Sequence, residues 1–152
     1  MVYRVNTKFR FSFAMVFLCL LVSCAPLIGP YSPTAYQNAT SLKATTLTLM
    51  DKATEPYSNH QKDIESLSLE INKAYEFVNG IPSNSISANQ WLLLKKPDGA
   101  LLGKFFARWK EKPQSTEFVV EFKGQVSDAF DEIICLEANK KQTAQCSKKG
   151  GN

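Results

Sequence analysis

One histidine, His60, and four cysteines are all that this chain of 152 residues offers as soft metal ligands or poised nucleophiles. His60 has no second histidine with which to share a metal, and no CxxC pair, glycine-rich phosphate loop or Walker motif occurs. Glycine and proline number only seven each, too few for a collagen-like or low-complexity chain. The single long apolar run, at 11–22, excludes a multi-span membrane protein. No fixed-period repeat is present. Adjacent acids such as Asp131 and Glu132 diverge around a helix, and no nucleophile motif accompanies His60, which reads as a surface or core-rim residue. The expectation is therefore a protein without enzymatic activity, cofactor or metal. What is present is ordinary: 44% hydrophobic and 21% charged residues, enough chain for one domain with a core of normal size.

The amino-terminal end is more specific. Residues 1–10 carry Arg4, Lys8 and Arg10 and no acid, and 11–22 is apolar except for Ser12. A basic stretch followed by an apolar stretch of this length has the form of a secretory leader. Its twelve apolar-run residues would cover about 18 Å as a helix, well short of a ~30 Å hydrocarbon core. A cleaved segment is thus expected at 1–23, not a permanent span.

The leader ends in Leu21-Val22-Ser23-Cys24, which resembles the bacterial lipobox: a large aliphatic residue, a tolerant position, a small residue and then cysteine. The resemblance covers residues 1–24 only. It implies that the Cys24 thiol receives a diacylglycerol as a thioether, that the chain is cut before Cys24, and that the new amino group is acylated. Each buried methylene adds ~0.8 kcal/mol, so several acyl chains on one residue hold a protein firmly to a bilayer. Ala25 follows the cysteine. Lipoproteins kept in the inner membrane of diderm bacteria typically have aspartate there, so the resemblance implies the outer membrane, facing the periplasm.

Processing changes both charge and thiol content. Losing Arg4, Lys8 and Arg10 takes 18 basic residues to 15 against 14 acidic ones, so a net +4 falls to +1 and no nucleic-acid partner is expected. Cys19 leaves with the leader and Cys24 carries lipid, which leaves Cys135 and Cys146. An even pair in an oxidising compartment is a disulfide candidate, the alternative being a buried thiol at Cys135 and a free one at Cys146.

After a tether at 24–31, the spacing predicts an all-α domain at 32–141 and a flexible basic tail at 142–152. Ser32-Pro33 is a helix-start signal, followed by Ala39, Leu42, Thr46, Leu49 and Ala53 on one face up to Pro56. A second helix, 59–79, repeats that spacing through Ile64, Leu67, Ile71, Ala74 and Val78, with Gly80 and Pro82 where a helix stop belongs. These two should pack antiparallel. Ser85 or Ser87 caps a brief helix through Trp91, broken by Pro97-Asp98-Gly99. Leu101, Leu102, Phe105, Phe106 and Trp109 form the apolar side of another short helix. The last helix, 115–141, has a seam of Val119, Phe122, Val126, Ala129, Ile133 and Leu136. The architecture is a small helical bundle of about four main helices, with room for a short fifth.

Charge is unevenly distributed along this domain. Segment 95–112 holds Lys95, Lys96, Lys104, Arg108, Lys110 and Lys112 against Asp98 and Glu111, and 140–149 holds Lys140, Lys141, Lys148 and Lys149 with no acid. Segment 113–139 is acidic, with Lys123 against six acids including Asp131 and Glu137. Lys104, Arg108 and Lys112 recur every four residues beside Phe105, Phe106 and Trp109. That stripe has two readings: it grips an anionic surface, either lipid headgroups near the anchored end or an acidic partner, or it faces the acidic last helix across a hairpin. The aromatic residues read as core, or as the lining of a groove for a partner helix. Two functions follow. One is a membrane-anchored envelope lipoprotein that binds another envelope protein or component; the other is a carrier of a small molecule or lipid in an apolar cavity of the bundle.

Overall fold

A computed structural model describes residues 29–99, 101–140 and 146. The leader, Leu21-Val22-Ser23-Cys24, most of the tether and the tail other than Cys146 lie outside the described residues. The protein is all-α, with five helices and no strand among the described residues: α1 (Pro33–Met50), α2 (Gln61–Asn79), α3 (Ser85–Lys95), α4 (Leu102–Glu111) and α5 (Thr116–Ala138).

Helix α1 begins as its sequence dictates. Ser32 Oγ accepts from the Ala35 amide at 3.2 Å, and Pro33 occupies the first turn, where its missing N–H costs nothing. Its threonines weaken intrinsic propensity, but Thr40, Thr45 and Thr48 donate their hydroxyls to the carbonyls of Tyr36, Ser41 and Ala44 at 2.9–3.1 Å. Burial of Ala35, Ala39, Thr46, Leu49 and Met50 holds the helix against its neighbours, while Leu42 is only half-buried. A short 3₁₀ turn, Asp51–Thr54, closes its end.

All five expected core positions of α2 are buried. The stop that follows differs from expectation. Gly80 sits at φ −75°, in the ordinary helical region, and the residue that takes the left-handed conformation is Ser83, at φ 60°. Nor do Ser85 and Ser87 cap α3. Asn84 is at the cap position, and its side chain donates not to α3 but to the Val78 carbonyl at 3.1 Å, tying the α2–α3 link to the end of α2.

The caps of α5 match the sequence at one end only. Ser115 Oγ accepts from Phe118 N at 3.2 Å, but the helix ends at Ala138, and the fully buried residue at this turn of its seam is Phe130, with Ala129 half-buried beside it. Val126, Phe130, Ile133 and Glu137 are spaced 4, 3, 4, which keeps one line of side chains on the bundle axis.

The topology follows from which ends meet. Lys43 pairs with Asp131 and Asp51 with Lys123, so α1 and α5 run antiparallel. Asn72 bonds Lys95 and Val78 bonds Asn84, so α2 and α3 do too. Trp91 meets Phe130 and Ser87 meets Lys140, so α3 and α5 also run antiparallel. Helix α3 reaches only about half the height of α2, and α4 continues the column. Gly103 permits this junction, because a Cβ there would overlap the Lys96 carbonyl. The result is a four-column, up-down-up-down bundle in which α3 and α4 share one column.

The bundle axis is filled by Trp91, Trp109, Phe105, Phe130, Met50, Ile71 and Leu94, all under 2% exposed. Phe105 lies parallel to Phe118 with ring centres 6.1 Å apart, and Trp91 meets Phe130 edge-on at 5.9 Å. The aromatic residues are thus mainly core. Among the described residues, no helix is long and apolar enough to cross a membrane.

Candidate functional site

Two regions of the bundle hold polar groups that packing alone does not require. They lie at opposite ends. The end where the chain enters is marked by Gly29, at which a Cβ would meet Pro82 O, Asn84 Cβ and Ile81 Cγ2 at 3.0–3.2 Å. The other end holds the α1–α2 link, α4 and the start of α5.

At the entry end, Lys140 and Glu137 are buried together, with side chains 3% and 0% exposed. Lys140 Nζ donates to Glu137 Oε1 at 2.9 Å, to Ser87 Oγ at 2.9 Å and to Asn84 Oδ1. Its three protons are thereby accounted for, which is what makes a buried ammonium tolerable. Among the described residues, Glu137 Oε2 is buried without a donor and the Trp91 indole N–H without an acceptor. A disulfide between Cys135 and Cys146, with Cα atoms 5.7 Å apart, closes the segment that carries both charges. The sequence places Glu137 in the acidic segment 113–139 and Lys140 in the basic run 140–149, and its spacing did not single out either as buried. Glu137 is instead in the core register of α5, and Lys140, three residues on, pairs with it.

At the far end, α4 is an amphipathic helix seated on the α1–α2 link. Trp109 donates its indole N–H to the Glu55 carbonyl at 2.8 Å, and Tyr57 and His60 pack on its ring with centres 5.8 and 5.7 Å away. His60 Nε2 lies 2.8 Å from Glu55 Oε2, half-buried at the rim, as expected for a lone structural histidine. Burial, and then the nearby Glu65 carboxylate, push the Tyr57 hydroxyl above its ordinary value.

Lys104 and Arg108 on α4 and Lys112 at its C-cap are exposed. Arg108 lies over the Phe118 ring, 4.3 Å from its centre. These three form no ion pair among the described residues. Among the described residues, the charges of α5 that pair across the bundle reach α1 and the turn at its end: Asp131 meets Lys43 at 2.6 Å, and Lys123 meets Asp51 at 2.5 Å. The stripe is therefore a solvated basic edge, not one half of an α4–α5 charge zipper. It also lies away from the end where Gly29 enters, so the bundle does not bring it near that end.

The opposite flank of α4 holds a second set of cations that sequence spacing did not single out. A groove of about 600 Å³ runs between α2, the end of α3 and α4. Ile64, Leu92 and Phe106 contribute apolar surface to it, and Lys95, Lys96 and Lys110 stand around it. A further recess of about 700 Å³ between α1 and α2 is lined by Leu42, Thr45, Leu49, Lys52, His60 and Asp63 among others, with both signs of charge. No group of three or more metal-ligating side chains occurs among the described residues.

No family model matches the chain, and no curated protein or solved structure is detectably similar to it.

Proposed function

We propose that this chain is a lipid-anchored envelope lipoprotein, held in the outer membrane through Cys24 and facing the periplasm, whose helical body binds another envelope protein or component without catalysing a reaction. The observation that carries this reading is Leu21-Val22-Ser23-Cys24 placed directly behind a basic and then apolar leader. Two structural features support it. The Cys135–Cys146 disulfide suits an oxidising compartment. The bundle interior is occupied by large side chains, which favours recognition on the surface over carriage of an apolar molecule inside.

The test is Cys24→Ser in the native host. Wild-type protein should incorporate a palmitate analogue and stay with outer membranes, and the variant should do neither. A variant still labelled and still membrane-bound would remove the anchor from the account.

A further inference from the structure

We infer that the groove between α2, α3 and α4 is the docking site for a short acidic segment of a partner protein, one that carries a large apolar side chain between its carboxylates. This rests on the partner-binding reading above and adds where the partner sits and what chemistry it presents.

The charge of the groove selects the occupant. Three lysines and no acid line it. Lys95 is already engaged, donating to Asn72 Oδ1 at 2.9 Å and lying 4.0 Å from the centre of the Tyr75 ring, so it acts as a fixed wall. Lys96 and Lys110 are exposed and form no ion pair among the described residues. Glu65, whose carboxylate acts on the Tyr57 hydroxyl at the edge of the groove, and Asp98 are not lining residues.

The floor selects the apolar anchor. Leu92, Phe106 and Tyr57 are each half-buried, with Ile64 beneath at 3% exposure. A leucine- or phenylalanine-sized side chain would cover this surface, while flanking carboxylates would meet Lys96 on one side and Lys110 on the other. An apolar centre with a charged rim is the usual anatomy of a peptide-binding groove.

Position argues for a protein over the protein's own bilayer. The groove spans Ile64 to Asn72 on α2, whereas the chain enters beside Ile81 and Pro82. At ~1.5 Å per residue, that sets it roughly 12–25 Å up the bundle from the entry end, on its side and upper half.

The experiment uses the full chain in detergent and a fluorescein-labelled twelve-residue peptide in which glutamates flank two leucines, read by anisotropy. Controls are the same peptide with lysine for glutamate, and vesicles of phosphatidylglycerol and phosphatidylcholine. The acidic peptide should bind at least tenfold more tightly than its basic counterpart. Lys96→Glu with Lys110→Glu should weaken it tenfold or more, and Lys104→Glu with Lys112→Glu by less than twofold; all four sites are exposed, so folding should be unaffected. Equal weakening by both pairs, or none by the first, would overturn the site. Loss of vesicle binding with peptide binding intact in the first pair would assign these lysines to a membrane and also overturn it. The two proposals fail separately: a native membrane partner still crosslinked after reversal at 96 and 110 keeps partner binding and removes this groove. Peptide binding by a chain whose Cys24 carries no lipid keeps the groove and removes the anchor.

Discussion

Replacing Lys140 with methionine takes away the one cation that contacts Glu137 among the described residues, and a donor to Asn84 and Ser87, while leaving a buried stem of similar length. Glu137 is fully buried and, among the described residues, Oε2 has no donor, so the substitution strips the partner from Oε1. Breaking a buried pair by removing one member typically costs about 3–5 kcal/mol, because the orphaned charge cannot regain water. For a domain of this size, each kcal/mol is worth about 4 °C, so the melting temperature should fall by roughly 12–20 °C. The assay is thermal and urea unfolding followed by circular dichroism, with the disulfide intact in both proteins. The control is Glu137→Leu together with Lys140→Met. Replacing both charges by apolar groups is often neutral or stabilising, so the double variant should recover most of the loss, short of what Asn84 and Ser87 still lack. A single variant within about 1 kcal/mol of wild type, or a double variant as unstable as the single, would show that these charges are not buried together.

Other outcomes follow from the same packing. Cys135→Ser with Cys146→Ser should lower unfolding free energy by roughly 2–3 kcal/mol, the loop-closure contribution of a bridge over eleven residues of separation; thiol titration should find two more free thiols in reduced than in oxidised wild-type protein, and equal counts would refute the bridge. Gly124→Ala should raise stability by about 1 kcal/mol, since a Cβ there meets nothing within 4 Å in the middle of α5. Gly103→Ala should lower the melting temperature, because its Cβ would overlap the Lys96 carbonyl; glycine variants of equal stability would remove the close α3–α4 junction.

Much of the fold was legible because burial imposes a period. The 3, 4, 3, 4 spacing of Ile64 to Val78 named the core of α2 without error, and Ser32-Pro33 and Ser115 marked helix starts whose chemistry is local. The misses have physical causes. Ala129 was preferred to Phe130 because both fit an apolar seam, and only the neighbour Trp91 decides which one turns inward. Gly80 looked like the left-handed stop because glycine adopts that conformation most easily, yet the turn places it on Ser83. Glu137 and Lys140 were counted only within runs of like charge, although their i,i+3 spacing on the core face was a usable signal. The stripe Lys104, Arg108 and Lys112 was visible because its members are four residues apart on one helix. The groove lysines were not, because Lys96 and Lys110 line one groove only when α4 continues the column of α3 along α2.

The central claim is the modified sulfur at position 24. Intact-mass measurement of protein extracted from native membranes tests it most directly. The protein should start at Cys24 and be heavier than residues 24–152 by a diacylglycerol and a further acyl chain, less two hydrogens for the bridge. A chain that retains Met1, or one trimmed at its start with no fatty mass, would contradict it.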